Sequence, residues 1–107
     1  MPPPGYHGRY LRVDLSKQCI ESIKIPDAIL RQYLGGSGLG TWILHREAPV
    51  GIKPLSPEAP LIFALSPLVG TPLTTSAKFA VVAKSPLTHR LNAALSSSWF
   101  ALAATNA

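Results

Sequence analysis

The chain reads as an α+β protein, mostly antiparallel sheet with two short helices packed on it. Three observations predict this. Residues 9–15 alternate between polar and apolar side chains, which is the period of a strand with one covered face. Two apolar runs, residues 61–65 and 79–83, are held apart by a loop of Pro, Gly, Thr and Ser, the pattern of strands between turns. Between these β-like segments, residues 27–48 carry apolar residues at helical spacing, broken by the cluster GGSGLG.

Taken in order, the first eight residues are Pro-rich and form a loose lead-in. In residues 9–15, Leu11, Val13 and Leu15 fall on one side and Tyr10, Arg12 and Asp14 on the other, so the strand is expected to be half-buried. Ser16, Lys17 and Gln18 turn the chain, and residues 20–25 return as a second strand to close a hairpin. A short helix starts at Pro26–Asp27, with Asp27 as its expected N-cap. Ile29, Leu30, Tyr33 and Leu34 line one face of it, and Gly35 and Gly36 end it. Ser37 is the expected cap of a second helix over residues 38–48. Leu39, Trp42 and Ile43 form its apolar stripe, and Pro49 stops it.

Residues 51–60 contain three prolines and read as extended loop. The run 61–65 is short and wholly apolar, as in a strand buried on both faces. In Lys78–Lys84, Phe79, Val81 and Ala83 share one face and Lys78, Ala80, Val82 and Lys84 the other. Terminal lysines of this kind also guard a sheet edge against pairing with other chains. The segment 85–98, SPLTHRLNAALSSS, reads as a second polar loop, and its serine run before Trp99 marks a helix start. Backbone amides exposed there would favour an anion.

Composition narrows the function. With 107 residues, 47% hydrophobic and only 14% charged, the chain is too apolar to be disordered, and part of its surface is expected to be covered by something else. The net charge of +5 invites a nucleic-acid reading, but the ten basic residues are scattered and build no stripe. Cys19 stands alone, which excludes an internal disulfide and a Cys-rich metal or cluster site within the chain. No apolar stretch approaches a membrane span, and the first residues lack the apolar core of a signal peptide; a cytoplasmic, reducing compartment is the expectation.

Self-contained catalytic chemistry is missing. His7, His45 and His89 are widely spaced, the five carboxylates are unpaired, and the serines have no evident base. The cluster Gly35-Gly36-Ser37-Gly38-Leu39-Gly40 follows a helical pattern rather than a strand and lacks the ending of a phosphate-binding loop, so it reads as a tight helix–helix junction.

The order of segments RYLRVDLS, IPDAILRQYLGGSGLGTWIL, PLSPEAPLIFALSPLVGTP, KFAVVAKSPLT and SSSWFALA resembles the N-terminal domain of the aldehyde ferredoxin oxidoreductases. Each piece is weakly specific; their order and spacing are strongly so. The resemblance implies that residues 1–107 are an incomplete domain of this type, roughly its first half. It implies a tungsten (or molybdenum) bis-pterin cofactor lying on the sheet, and a 4Fe–4S cluster whose ligands lie outside this chain. It also implies ferredoxin and the remainder of the same enzyme as partners, with no nucleic acid or membrane and with a homo-oligomer possible. Lys78 stands where the family places a basic residue before its strand aromatic, keeping the charge but losing the arginine fork. Leu95, Ser96, Ser97 and Ser98 stand where the family carries an Asn-Ser-Gly-Gly run, so the expected cofactor contacts are Lys78 first, then Ser96 and Ser97, with Leu95 offering backbone groups only.

The implied parent reaction is oxidation of an aldehyde to a carboxylic acid, with the isolated chain inactive. Relatives acting on glyceraldehyde 3-phosphate, on formaldehyde or in aromatic-ring reduction share this portion. The alternatives are a non-enzymatic remnant or interaction module, favoured by the departures at Leu95, Ser97 and Ser98, and a small basic nucleic-acid binder.

Overall fold

A computed structural model describes residues 6–48, 51–69, 71–72 and 76–106. The order of elements is β1 (Arg9–Asp14), β2 (Cys19–Lys24), α1 (Asp27–Tyr33), α2 (Gly36–Glu47), β3 (Ile62–Leu65), β4 (Lys78–Lys84), β5 (Leu91–Ser97) and α3 (Trp99–Asn106). The α+β expectation holds, with two antiparallel sheets and three helices. The Pro49 stop, the first five residues and the centre of the loop before β4 lie outside the described residues.

β1 and β2 form the expected hairpin, Arg9 opposite Lys24 and Asp14 opposite Cys19. Its faces are turned the other way from the simple expectation. Leu11, Val13 and Leu15 are exposed, while Tyr10 packs against the core. Alternation fixes which residues share a face; which face is covered depends on the rest of the molecule.

α1 begins one residue earlier than Asp27 as a cap allows. Pro26 occupies the cap, with no side-chain bond, and Asp27 lies in the first turn, where its charge suits the helix dipole. Leu30 is buried, but Leu34 is exposed. It takes φ 65° and hands the chain from α1 to the next helix. α2 starts at Gly36 with Gly35 as its cap, so Ser37 is a first-turn residue rather than the cap. Gly35 explains the early start. A Cβ there would meet the Leu65 carbonyl oxygen at 2.7 Å, so only glycine lets the chain pass β3 this closely.

The second sheet has the order β3-β4-β5. α2 lies across one face of β3 and β4. Its Leu39, Ile43 and Leu44 are buried with Ile62, Ala64, Ala80 and Val82, joined by Ile25 and Leu30. Trp42 is only half-buried. β3 is covered on one face alone. Ile62 and Ala64 are buried, but Phe63 is 54% exposed, which corrects the expectation of a strand covered on both sides. On the other face, Phe63, Phe79 and Phe100 of α3 form an edge-to-face cluster, with Phe79 and Phe100 centroids 4.9 Å apart.

The larger correction concerns residues 85–98. Residues 91–97 are strand β5, paired along their whole length with β4, and only the turn before them is irregular. Ser98 then caps α3 through its hydroxyl, which accepts from the Phe100 N–H at 3.2 Å.

Candidate functional site

β4 and β5 set the site through their register. Lys78 is the partner of Ser97, Phe79 of Ser96 and Ala80 of Leu95. Directly opposed residues in an antiparallel pair point to the same side of the sheet. Lys78, Ser97 and Leu95 therefore share the face on which α2 packs. Ser96 faces the opposite side with Phe79, so it does not join the other three. The Ser98 N–H donates to the Ala77 carbonyl at 3.2 Å and pins this end of the pair. Lys78, Leu95, Ser96 and Ser97 are all exposed.

The glycine cluster comes to the same end of the sheet. Gly35 packs on Leu65, Ser66 and Pro67, and Leu65 is the register partner of Phe79, next to Lys78. The Leu39 N–H makes the first bond of α2, to the Gly35 carbonyl at 3.4 Å. The amides of Gly36, Ser37 and Gly38 precede that bond and are the free donors of a helix start. Gly38 also has a junction role, because a Cβ there would meet the Tyr33 carbonyl oxygen at 2.8 Å. The sequence marked this cluster as a junction and missed its placement beside Lys78. The signal that could have found it is the run of glycines ahead of a helix, which exposes amides.

The chemistry of this end is that of donors: an ammonium, the Ser97 and Ser37 hydroxyls, and three helix amides. Such a set recognises anionic oxygen and polar ring edges. Among the described residues it offers no acid–base pair. Among the described residues no three His, Cys, Asp or Glu side chains gather to hold a metal ion. Lys84, at the far end of β4, donates to the Ile52 carbonyl at 2.6 Å and anchors the preceding loop. His7 contacts the Thr105 carbonyl, and His45 is exposed on α2, so neither joins Lys78.

A polar cluster lies elsewhere, where the hairpin meets the C-terminal end of α2. The Tyr10 hydroxyl donates to Glu47 Oε1, and Arg12 Nε sits 3.3 Å from Glu47 Oε2. Burial, reinforced by the bond to Glu47 and its charge, pushes the Tyr10 phenol up to about 12. This cluster joins two elements and is remote in the fold from the Lys78 end.

Residues 10–107 match the family model described as "Aldehyde ferredoxin oxidoreductase, N-terminal domain". The tungsten-containing aldehyde ferredoxin oxidoreductase of Pyrococcus horikoshii is 40% identical over 96 residues, covering 90% of this chain and 16% of that protein. The WOR-like subunit of an aliphatic sulfonate oxidoreductase from Pyrococcus furiosus is 33% identical over 85 residues, covering 77% of this chain and 13% of that subunit. Among solved structures, the active site complex BamBC of benzoyl coenzyme A reductase, in complex with 1,5-dienoyl-CoA, superposes with a TM-score of 0.79 at 36% identity. That match covers 85% of this chain and 14% of the other. The chain thus spans about one sixth of the length of the curated oxidoreductases it matches.

Proposed function

The chain belongs to the aldehyde ferredoxin oxidoreductase family, and from that premise we propose that it is the cofactor-cradling part of an oxidoreductase that oxidises aldehydes to carboxylic acids with ferredoxin as electron acceptor. The observation that carries the reading is the register of Lys78 opposite Ser97, beside the amides that open α2. A tungsten or molybdenum bis-pterin, when bound, supplies the two-electron redox chemistry.

The residues of this chain bind and orient. Lys78 Nζ neutralises a phosphate of the pterin, and the Ser97 hydroxyl and the amides of Gly36, Ser37 and Gly38 donate to its oxygens and ring edges. Leu95 lies on the same face two residues away and adds backbone groups at the rim. Ser96 turns its side chain to the Phe79 side and its peptide group to β4, so the reading rests on Lys78 and Ser97. The donor set fits an anionic cofactor in kind, and the opposite wall of the site comes from the remainder of the enzyme. Cys19 is the one cysteine, so ligands for a 4Fe–4S cluster also lie outside this chain. Relatives named for an aliphatic sulfonate oxidoreductase and a benzoyl coenzyme A reductase share this portion, so the substrate is set by the remainder of the enzyme.

Binding of a phosphorylated pterin to the chain tests the reading. Lys78→Ala is expected to weaken binding about tenfold, the effect of one charge-assisted hydrogen bond, and Lys78→Arg to retain it. Equal affinity of Lys78→Ala and the parent chain would remove Lys78 from the site.

A further inference from the structure

We propose that the turn at Leu34 is a strained hinge, held shut by the Tyr6 hydroxyl, that fixes where the first-turn amides of α2 point. Tyr6 and Leu34 are then positioning residues of the Lys78 end. The hinge stands on backbone geometry; what it serves rests on the cofactor reading.

α1 does not end on a glycine. Its last position, Leu34, takes φ 65° and ψ −68°. The Gly35 N–H donates back across it to the Tyr33 carbonyl at 2.8 Å. A bond that spans one residue, with that residue in this region, makes a γ-turn of the rare and strained kind. Glycine enters the left-handed half of backbone space freely, whereas the Cβ of a leucine opposes it. Such a residue persists only where its surroundings over-determine it.

The chain is gripped on both sides of Leu34. Upstream, the Leu34 N–H donates to the carbonyl of buried Leu30 at 2.9 Å. Downstream, Gly35 passes the Leu65 carbonyl so closely that a Cβ would stand 2.7 Å from it. Over the turn itself lies Tyr6, whose ring packs against the core. Its hydroxyl donates to the Leu34 carbonyl and sits 3.4 Å from the Leu30 carbonyl.

Two opposed effects therefore meet at one peptide unit. The strain of Leu34 favours opening, and the Tyr6 donor favours closure. Relaxing Leu34 to an ordinary φ would turn the peptide after it, break the Gly35 bond to Tyr33 and draw Gly35 off Leu65. Gly35 also carries the carbonyl that accepts the first α2 bond, from the Leu39 N–H at 3.4 Å. The amides of Gly36, Ser37 and Gly38 lie between and would move with it. Tyr6 is 28 residues from Leu34, so the segment ahead of β1 governs the start of α2.

Amide exchange of the whole chain in water and in low urea tests this. Tyr6→Phe keeps the ring and removes the donor. It is expected to speed exchange at Gly35 and Leu39 about tenfold, and those rates should not depend on low urea. Central-strand amides such as Val82 exchange by global opening and should respond to urea. A merely stabilising bond would give Gly35 and Leu39 the urea response of Val82. Adding Leu34→Gly is expected to return Gly35 and Leu39 to the parent rate, because glycine removes the strain. Adding Leu34→Ala, which keeps a Cβ, is not. Should Tyr6→Phe fail to fold, Leu34→Gly alone is expected to slow exchange at Gly35 and raise the melting temperature by a few degrees, with Leu34→Ala doing neither. Parent rates in Tyr6→Phe, the same urea response at Gly35 as at Val82, or equal rescue by alanine and glycine would overturn the proposal.

Phosphorylated pterin separates the two readings. At saturation it is expected to slow exchange at Leu39, in Lys78→Ala as in the parent chain. Pterin that binds and leaves the Leu39 rate unchanged would overturn the positioning role. If no pterin binds while the exchange results hold, the cofactor reading fails and the hinge stands.

Discussion

Glu47 ends α2 where a carboxylate meets the negative pole of the helix dipole, an unfavourable place for it. Two residues of β1 offset this. Arg12 supplies a charge and Tyr10 a hydroxyl, and the Glu47 side chain is only 17% exposed. The same contacts make the Tyr10 phenol harder to ionise. Its pKa rises from an ordinary 10.0 to about 12, first through burial and then through Glu47. The folded pKa is above the unfolded one, so the stabilisation is complete below pH 10 and is lost as pH rises toward 12. Tyr10→Phe should cost about 1 kcal/mol at neutral pH. It should also flatten the alkaline fall in melting temperature between pH 10 and 12, read by thermal melts across that range.

Among the elements, α2 and β4 approach closely at Gly40. A Cβ on Gly40 would stand 2.8 Å from Val82 Cγ2 and 3.5 Å from Ala64 Cβ, and Val82 is fully buried. Alanine at position 40 would gain about 1 kcal/mol of helix propensity, while overpacking costs about 1–3 kcal/mol. Packing prevails, so Gly40→Ala should lower the melting temperature by several degrees. Adding Val82→Ala should recover part of the loss, because the two sites share one contact. The elements were unequally legible in the chain. β4 shows its bounds through alternation and its terminal lysines. β5 was hidden because LNAALSS has no β-branched or aromatic residue, and it is a strand by virtue of its pairing with β4. The side of β1 that faces the body was hidden as well, since Tyr10 is held against the body by Glu47, a residue of a distant element, while Arg12 reaches the same carboxylate from an exposed position.

At the scale of the whole molecule, apolar surface remains uncovered in several places, among them Leu11, Val13, Leu15 and Ile20 on the hairpin and Leu91, Leu95 and Trp99 along and just beyond β5. Such surface in a chain one sixth as long as its relatives fits a part that is packed against more protein. Lys78 stood out in the sequence as a charge beside an aromatic, but its partnership with Ser97 depends on strand register, and its nearness to the α2 start depends on tertiary packing. Neither is written in local spacing. The donor character of that end, together with a single cysteine, leads to a further expectation: supplied with aldehyde and an oxidised viologen, the isolated chain will reduce none of the dye. A measurable rate would place the reactive centre inside these residues.

The two indoles sit in unlike surroundings. Trp42 is half-buried, tilted against Tyr33 at 6.4 Å, with the Arg46 guanidinium 5.3 Å from its ring. Trp99 is 84% exposed, two residues beyond β5. Quenchers dissolved in the buffer therefore reach one fluorophore far more readily than the other. Light emitted at the red end of the spectrum becomes a gauge of whatever settles beside that strand, while the blue end reports on the helix pair.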